Sequence, residues 1–83
     1  MKVVLNVEAR NARIQKYYRE ALEEICQNAD LGINQMGLIF PNDLVWDVRD
    51  KIDENFKAHN VDYRWSGIMV DKGINIEIKL YLK

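Results

Sequence analysis

Threonine is missing from all 83 residues, and serine, cysteine, histidine and proline occur once each, as Ser66, Cys26, His59 and Pro41. One cysteine excludes a disulfide framework, and one cysteine with one histidine excludes a His/Cys zinc site. The same shortage removes most nucleophile–base pairs that a single chain could build. Charge of one sign is also lacking. Twelve Lys and Arg face thirteen Asp and Glu, so binding nucleic acid through sheer basicity is excluded. Long apolar runs are absent: residues 37–40 and 3–5 fall far short of the ~20 residues that span a bilayer. Asn6 and Glu8 interrupt any apolar region of a signal peptide. No phosphate-binding loop is present, because neither Gly32 nor Gly37 is followed by a Lys and a hydroxyl residue. The expectation is a cytoplasmic chain with no membrane segment, no metal and no cofactor. The lone Cys26 fits a reducing compartment.

What is present is globular. Apolar residues make up 48% and charged residues 30%, which argues against disorder, and the length fits one domain over residues 1–83. A domain of this size buries only about 60–65% of the surface its unfolded chain exposes. With no disulfide or metal to compensate, a homodimer or a permanent partner is expected.

Hydrophobic periodicity divides the chain. Residues 2–10 alternate, with Val3, Leu5, Val7 and Ala9 on one side, which predicts a half-buried strand. Asn11 would then cap a helix whose stripe is Ile14, Tyr17, Tyr18, Ala21, Leu22 and Ile25, ending near Asn28. Residues 31–40 are apolar without helical spacing, and residues 38–40 read as a short strand or an ordered loop. If a strand, they would close a right-handed parallel crossover with residues 2–10. Pro41, Asn42 and Asp43 open a second helix, capped by Asn42 or Asp43, with Val45, Val48, Ile52 and Phe56 on its stripe. It ends near His59 and Asn60.

The last third reads as a hairpin. Ile74, Ile76, Ile78, Leu80 and Leu82 alternate without a miss after a turn at Asp71, Lys72 and Gly73. In the preceding strand, Ile68 and Val70 have the opposite parity to Val61, Tyr63 and Trp65. A bulge at Ser66 and Gly67 would bring all five to one face. The fold class is therefore α+β: a small, mostly antiparallel sheet of three or four strands with two helices on one face, in the order β-α-(β)-α-β-β.

The second helix carries the candidate binding residues. Asp43, Asp47, Asp50 and Glu54 recur at steps of four, three and four, which places them on the face opposite the apolar stripe, with Asp53 beside them. A row of carboxylates suits a basic partner surface, including one that normally holds nucleic acid. The alternative is an ordinary solvated face. Trp46 lies off the apolar stripe, and Trp is the residue type most favoured as an interface anchor. The other reading of Trp46 is packing over the core edge or under residues 31–40.

Tyr17 and Tyr18 read as core-rim residues and Cys26 as a half-buried small hydrophobe. His59 reads as a structural group on the apolar side at the end of the second helix, where the helix dipole favours it. Without the bulge, Tyr63 and Trp65 would join Tyr81 on the open sheet face near Lys2, Arg10, Lys79 and Lys83. That arrangement would stack on single-stranded nucleic acid, although Glu8 and Glu77 would share the face.

These features predict a non-enzymatic module that binds another protein with a basic surface. Asn, Ile and Lys supply 24 of the 83 residues, a bias of AT-rich coding. A small phage or mobile-element inhibitor of a larger host complex fits that bias and the thin chemistry. The alternatives are a nucleic-acid-binding protein using the sheet face and a small homo-oligomeric structural protein.

Overall fold

The computed structural model describes residues 3–70 and 73–81, apart from the side chains of residues 68–70. Five elements follow one another: α1 (Val7–Asp30), β1 (Gln35–Phe40), α2 (Val45–Ala58), β2 (Tyr63–Val70) and β3 (Gly73–Leu80). They form a small α+β fold in which both helices and one face of a three-stranded antiparallel sheet share a core.

The expected N-terminal strand is replaced by helix. Residues 3–6 have no regular structure, and Val7, Ala9 and Arg10 lie within α1. The cap is Asn6 rather than Asn11: its side chain accepts from the Ala9 amide at 3.0 Å. Glu8 in the first turn favours the positive end of the helix dipole. Ala9, Arg10, Ala12 and Arg13 are good helix formers, so the local preference outweighs a four-residue alternation that has no neighbouring strand to bury it. The parallel crossover expected with residues 38–40 is absent for the same reason.

α1 ends where the sequence turns to Gly32, at φ +79°. Gly32 N–H donates to Ala29 C=O and Ile33 N–H to Asn28 C=O, a Schellman ending that requires the left-handed residue. β1 then buries Met36, Leu38 and Phe40 and exposes Gln35, Gly37 and Ile39, so residues 35–40 form a strand, not a loop.

α2 keeps the expected stripe. Val45, Val48, Ile52 and Phe56 are buried, and Leu44 joins them completely. Its start differs. Leu44 occupies the cap position without a side-chain bond, and Asn42 and Asp43 lie in the preceding turn. The Leu44 and Val45 amides donate to Pro41 C=O, which closes that turn. The helix stops at Asn60, φ 56°, where Val61 N–H reaches Phe56 C=O and Asn60 N–H reaches Lys57 C=O. Asn tolerates this conformation better than other side-chain-bearing residues.

β3 is the central strand, in the order β1-β3-β2, and is antiparallel to both neighbours. β1 and β2 are therefore the edges. The β2–β3 register runs unbroken from Tyr63↔Leu80 to Val70↔Gly73, so no bulge interrupts Ser66 and Gly67. Tyr63 and Trp65 nevertheless pack against the core, because the plain register pairs them with Leu80 and Ile78. The side chains of Ile68 and Val70, the Asp71–Lys72 part of the turn, and Leu82 lie outside what is described. Gly73 opens β3 rather than completing a loop. A Cβ there would lie 2.4 Å from the Phe40 carbonyl oxygen of β1, so glycine permits the two backbones to approach.

Candidate functional site

The six expected site residues all lie on or just before α2, but the fold distributes them in three directions. Asp43 and Asp47 face α1. The Arg10 guanidinium donates to the Asp47 carboxylate at 2.6 Å and to the Asp43 carbonyl at 3.0 Å, and Arg13 pairs with the Asp43 carboxylate at 3.1 Å. These contacts tie the first half of α1 to the start of α2. The same two charges are thereby partly neutralised within the chain. Both pairs are solvent-accessible, and such pairs contribute only about 0.2–1 kcal/mol each.

Asp53 faces the opposite way, toward β2. Its Oδ1 accepts the Tyr63 hydroxyl at 2.6 Å and the Trp65 indole N–H at 2.7 Å. Burial pushes the Tyr63 phenol up to about 12, helped by the hydrogen bond and charge of Asp53 and opposed by the Arg49 charge. Tyr63 also packs edge-on against Phe56 and Trp65. Asp53 is thus a structural clasp between α2 and β2.

Trp46, Asp50 and Glu54 remain on the outer surface. All three are exposed, and Trp46 keeps 57% of its surface open to solvent. Trp46 neither folds over the core nor packs under residues 31–40. It is positioned by Arg49, three residues further along α2. The Arg49 guanidinium carbon lies 5.5 Å from the Trp46 ring centroid and 5.6 Å from that of Trp65. Arg49 is therefore sandwiched between an exposed indole and a core-rim indole, and its Nε is buried without a hydrogen-bond partner. A cation between two π faces is favourable, and the sandwich limits the orientations open to Trp46. The signal for it was local: Trp46 and Arg49 are three apart on a helix. Trp65 is remote in sequence and could not have been assigned to the same stack.

The remaining candidates are ordinary or displaced. Tyr17 and Tyr18 lie half-buried at the core rim, Tyr17 edge-on to Phe40 and Tyr18 accepting from Asn55 Nδ2. Cys26 is exposed rather than half-buried, because it lies about 120° around the helix from Ala21 and Ile25. His59 is also exposed. It occupies the helix C-cap, where its Nδ1 lies 2.7 Å from the Asn55 carbonyl oxygen.

An aromatic platform on the open sheet face is not assembled. Tyr63 and Trp65 point to the helices, Arg10 is bound to Asp47, and Tyr81 lies outside their cluster with Lys79 over its ring. Among the described residues, no group of three or more His, Cys, Asp and Glu could hold a metal. No helix among them is long and apolar enough to cross a membrane. Neither family models, curated proteins nor solved structures yield a match to this chain.

Proposed function

We propose that this chain is a non-enzymatic protein-binding module that docks the outer face of α2 on a basic surface of a larger protein. Trp46 is the anchor, and Asp50 and Glu54 supply the charge that meets the partner. The observation that carries the reading is the exposed Trp46 indole held over Arg49. Leaving a large aromatic in water forfeits the burial that normally retains it, and a preset side chain loses little freedom on binding. Asp50 and Glu54 lie one and two helical turns beyond Trp46 on the same outer surface, so an apolar anchor and two carboxylates form one short strip.

The strip is narrower than the six expected site residues, since Asp43, Asp47 and Asp53 already have partners in the chain. A cytoplasmic inhibitor from a phage or other mobile element remains our reading of its setting, supported by small size and the Asn, Ile and Lys bias. The non-enzymatic reading rests on the scarcity of nucleophiles and bases.

The test is affinity capture from the native host lysate with the wild-type chain and with a Trp46→Ala, Asp50→Lys, Glu54→Lys triple variant. A basic protein retained by the wild type and lost by the triple variant supports the proposal. Equal capture by both, with unchanged circular dichroism, refutes it. Co-purification of nucleic acid in place of a protein would transfer the function to the runner-up class.

A further inference from the structure

An exposed apolar segment and an open strand edge occur in one chain. Val3, Val4, Leu5 and Val7 are 89%, 75%, 66% and 60% exposed. Single exposed apolar side chains are normal, but four within five residues are not. β1 is the other half of the pair. It is an edge strand, and its sequence, Gln-Met-Gly-Leu-Ile-Phe, holds no charge and no proline. Those are the devices by which natural edges resist strand addition, and the opposite edge strand, β2, does carry one in Arg64. A groove of about 120 Å³ runs between this edge and α1, with Tyr17, Glu20, Ala21 and Glu24 on the helix side and Leu38, Ile39 and Phe40 on the strand side.

We propose that residues 3–5 of a second copy of this chain add to the free edge of β1, and that the exchange is reciprocal and closes a two-fold dimer. The same segment of the same chain does not reach. Ten residues of helix separate Val7 from Tyr17, about 15 Å at 1.5 Å per residue. Residues 3–6, fully extended back along the helix, cover about 13 Å, so they end at the near side of the groove and cannot lie along Leu38–Phe40. Another copy has no such restriction. A direct pairing of two β1 edges is opposed by charge, because it would bring Glu20 and Glu24 of one copy toward the same residues of the other. Residues 3–5 carry no acidic side chain, and their β-branched and leucine side chains suit both strand geometry and the apolar lining of Tyr17, Ala21 and Phe40. A reciprocal exchange of identical segments is a low-cost route to a closed dimer. The proposal does not rest on the α2 reading, because the two surfaces share no residue.

The test is sedimentation equilibrium of the full chain beside a Val3→Ser, Val4→Ser, Leu5→Ser variant, with hydrogen exchange of the β1 amides as a function of concentration. These side chains are exposed, so the variant keeps the fold, as circular dichroism checks. The expected wild type sediments at twice 9.8 kDa at high micromolar concentration. Its residue 35–40 amides gain protection as concentration rises, and the variant's dissociation constant is at least about tenfold weaker. A wild type that stays at 9.8 kDa overturns the proposal. So does a variant that dimerises equally well, or a dimer whose β1 amides gain no protection.

Discussion

Replacing Asp53 with alanine should cost this protein a large part of its stability, although the residue lies on a helix surface that sequence reasoning assigns to a partner. Asp53 Oδ1 accepts from Tyr63 at 2.6 Å and Trp65 at 2.7 Å. A hydrogen bond to a charged acceptor contributes roughly 1.5–3 kcal/mol. Both bonds end on one oxygen at a half-buried site, so the lower figure applies to each, and the pair contributes about 3 kcal/mol. A chain of this length has roughly 4–12 kcal/mol in total at ~0.05–0.15 kcal/mol per residue. Asp53→Ala should therefore lower the melting temperature by roughly 12–24 °C, at ~4–8 °C per kcal/mol. Urea denaturation is the assay: the midpoint should fall with the slope unchanged. Asp53→Asn keeps an acceptor oxygen and should lose less. In a double-mutant cycle, Asp53→Ala and Tyr63→Phe should couple by about 1 kcal/mol or more. If Asp53→Ala denatures where the exposed control Asp50→Ala does, the clasp carries no stability and the reasoning fails.

The pH dependence follows from the same contact. Tyr63 is held up at about 12 against an ordinary value near 10, so the folded state prefers the neutral phenol. That contribution is complete below pH 10, falls as pH rises from about 10 to about 12, and is gone above; the wild-type minus Tyr63→Phe difference in stability should trace this window. Gly73→Ala should destabilise by about 1–3 kcal/mol in thermal melts, because its Cβ would meet the Phe40 carbonyl at 2.4 Å, and an unaltered melting temperature would contradict that approach. Asp47→Lys should lower stability by about 1 kcal/mol, since it removes the Arg10 pair and adds a like charge. Asp50→Lys should stay within about 0.5 kcal/mol of the wild type, and equal losses for the two would mean the Arg10 pair is not formed.

Elements with a full period were legible in the sequence. The α2 stripe of Val45, Val48, Ile52 and Phe56 and the β3 alternation from Ile74 to Leu80 each repeat often enough to define a face, and both faces are where the period places them. The N-terminal alternation was too short to compete with the Asn6 cap and the helix formers behind it. The bulge at Ser66 and Gly67 was inferred to place five apolar residues on one face, whereas the strand keeps its register and turns Tyr63 and Trp65 inward without it. The candidate site was legible only as a set of positions. Helical spacing put Asp43, Asp47, Asp50 and Glu54 on one arc, but it cannot show what flanks that arc. Arg10 and Arg13 lie thirty or more residues before their carboxylate partners, and Trp65 lies sixteen after Arg49. Those long-range contacts divide the arc into an ion-paired end and an exposed strip, with the Asp53 clasp to β2 beside them.

The claim that the exposed strip is the docking surface is tested most directly by Trp46 itself. The wild-type emission less that of Trp46→Phe isolates the Trp46 indole while the Trp65 bond to Asp53 and the Arg49 stack stay in place. The captured basic partner should shift that emission to the blue as the indole leaves water. Binding should weaken with added salt, because exposed charge pairs are screened beyond about 8–10 Å at ~0.10–0.15 M. Trp46→Ala should cost about 2 kcal/mol or more of binding free energy, some thirtyfold in affinity. A partner that binds with full affinity while the Trp46 emission stays that of an indole in water would contradict the account.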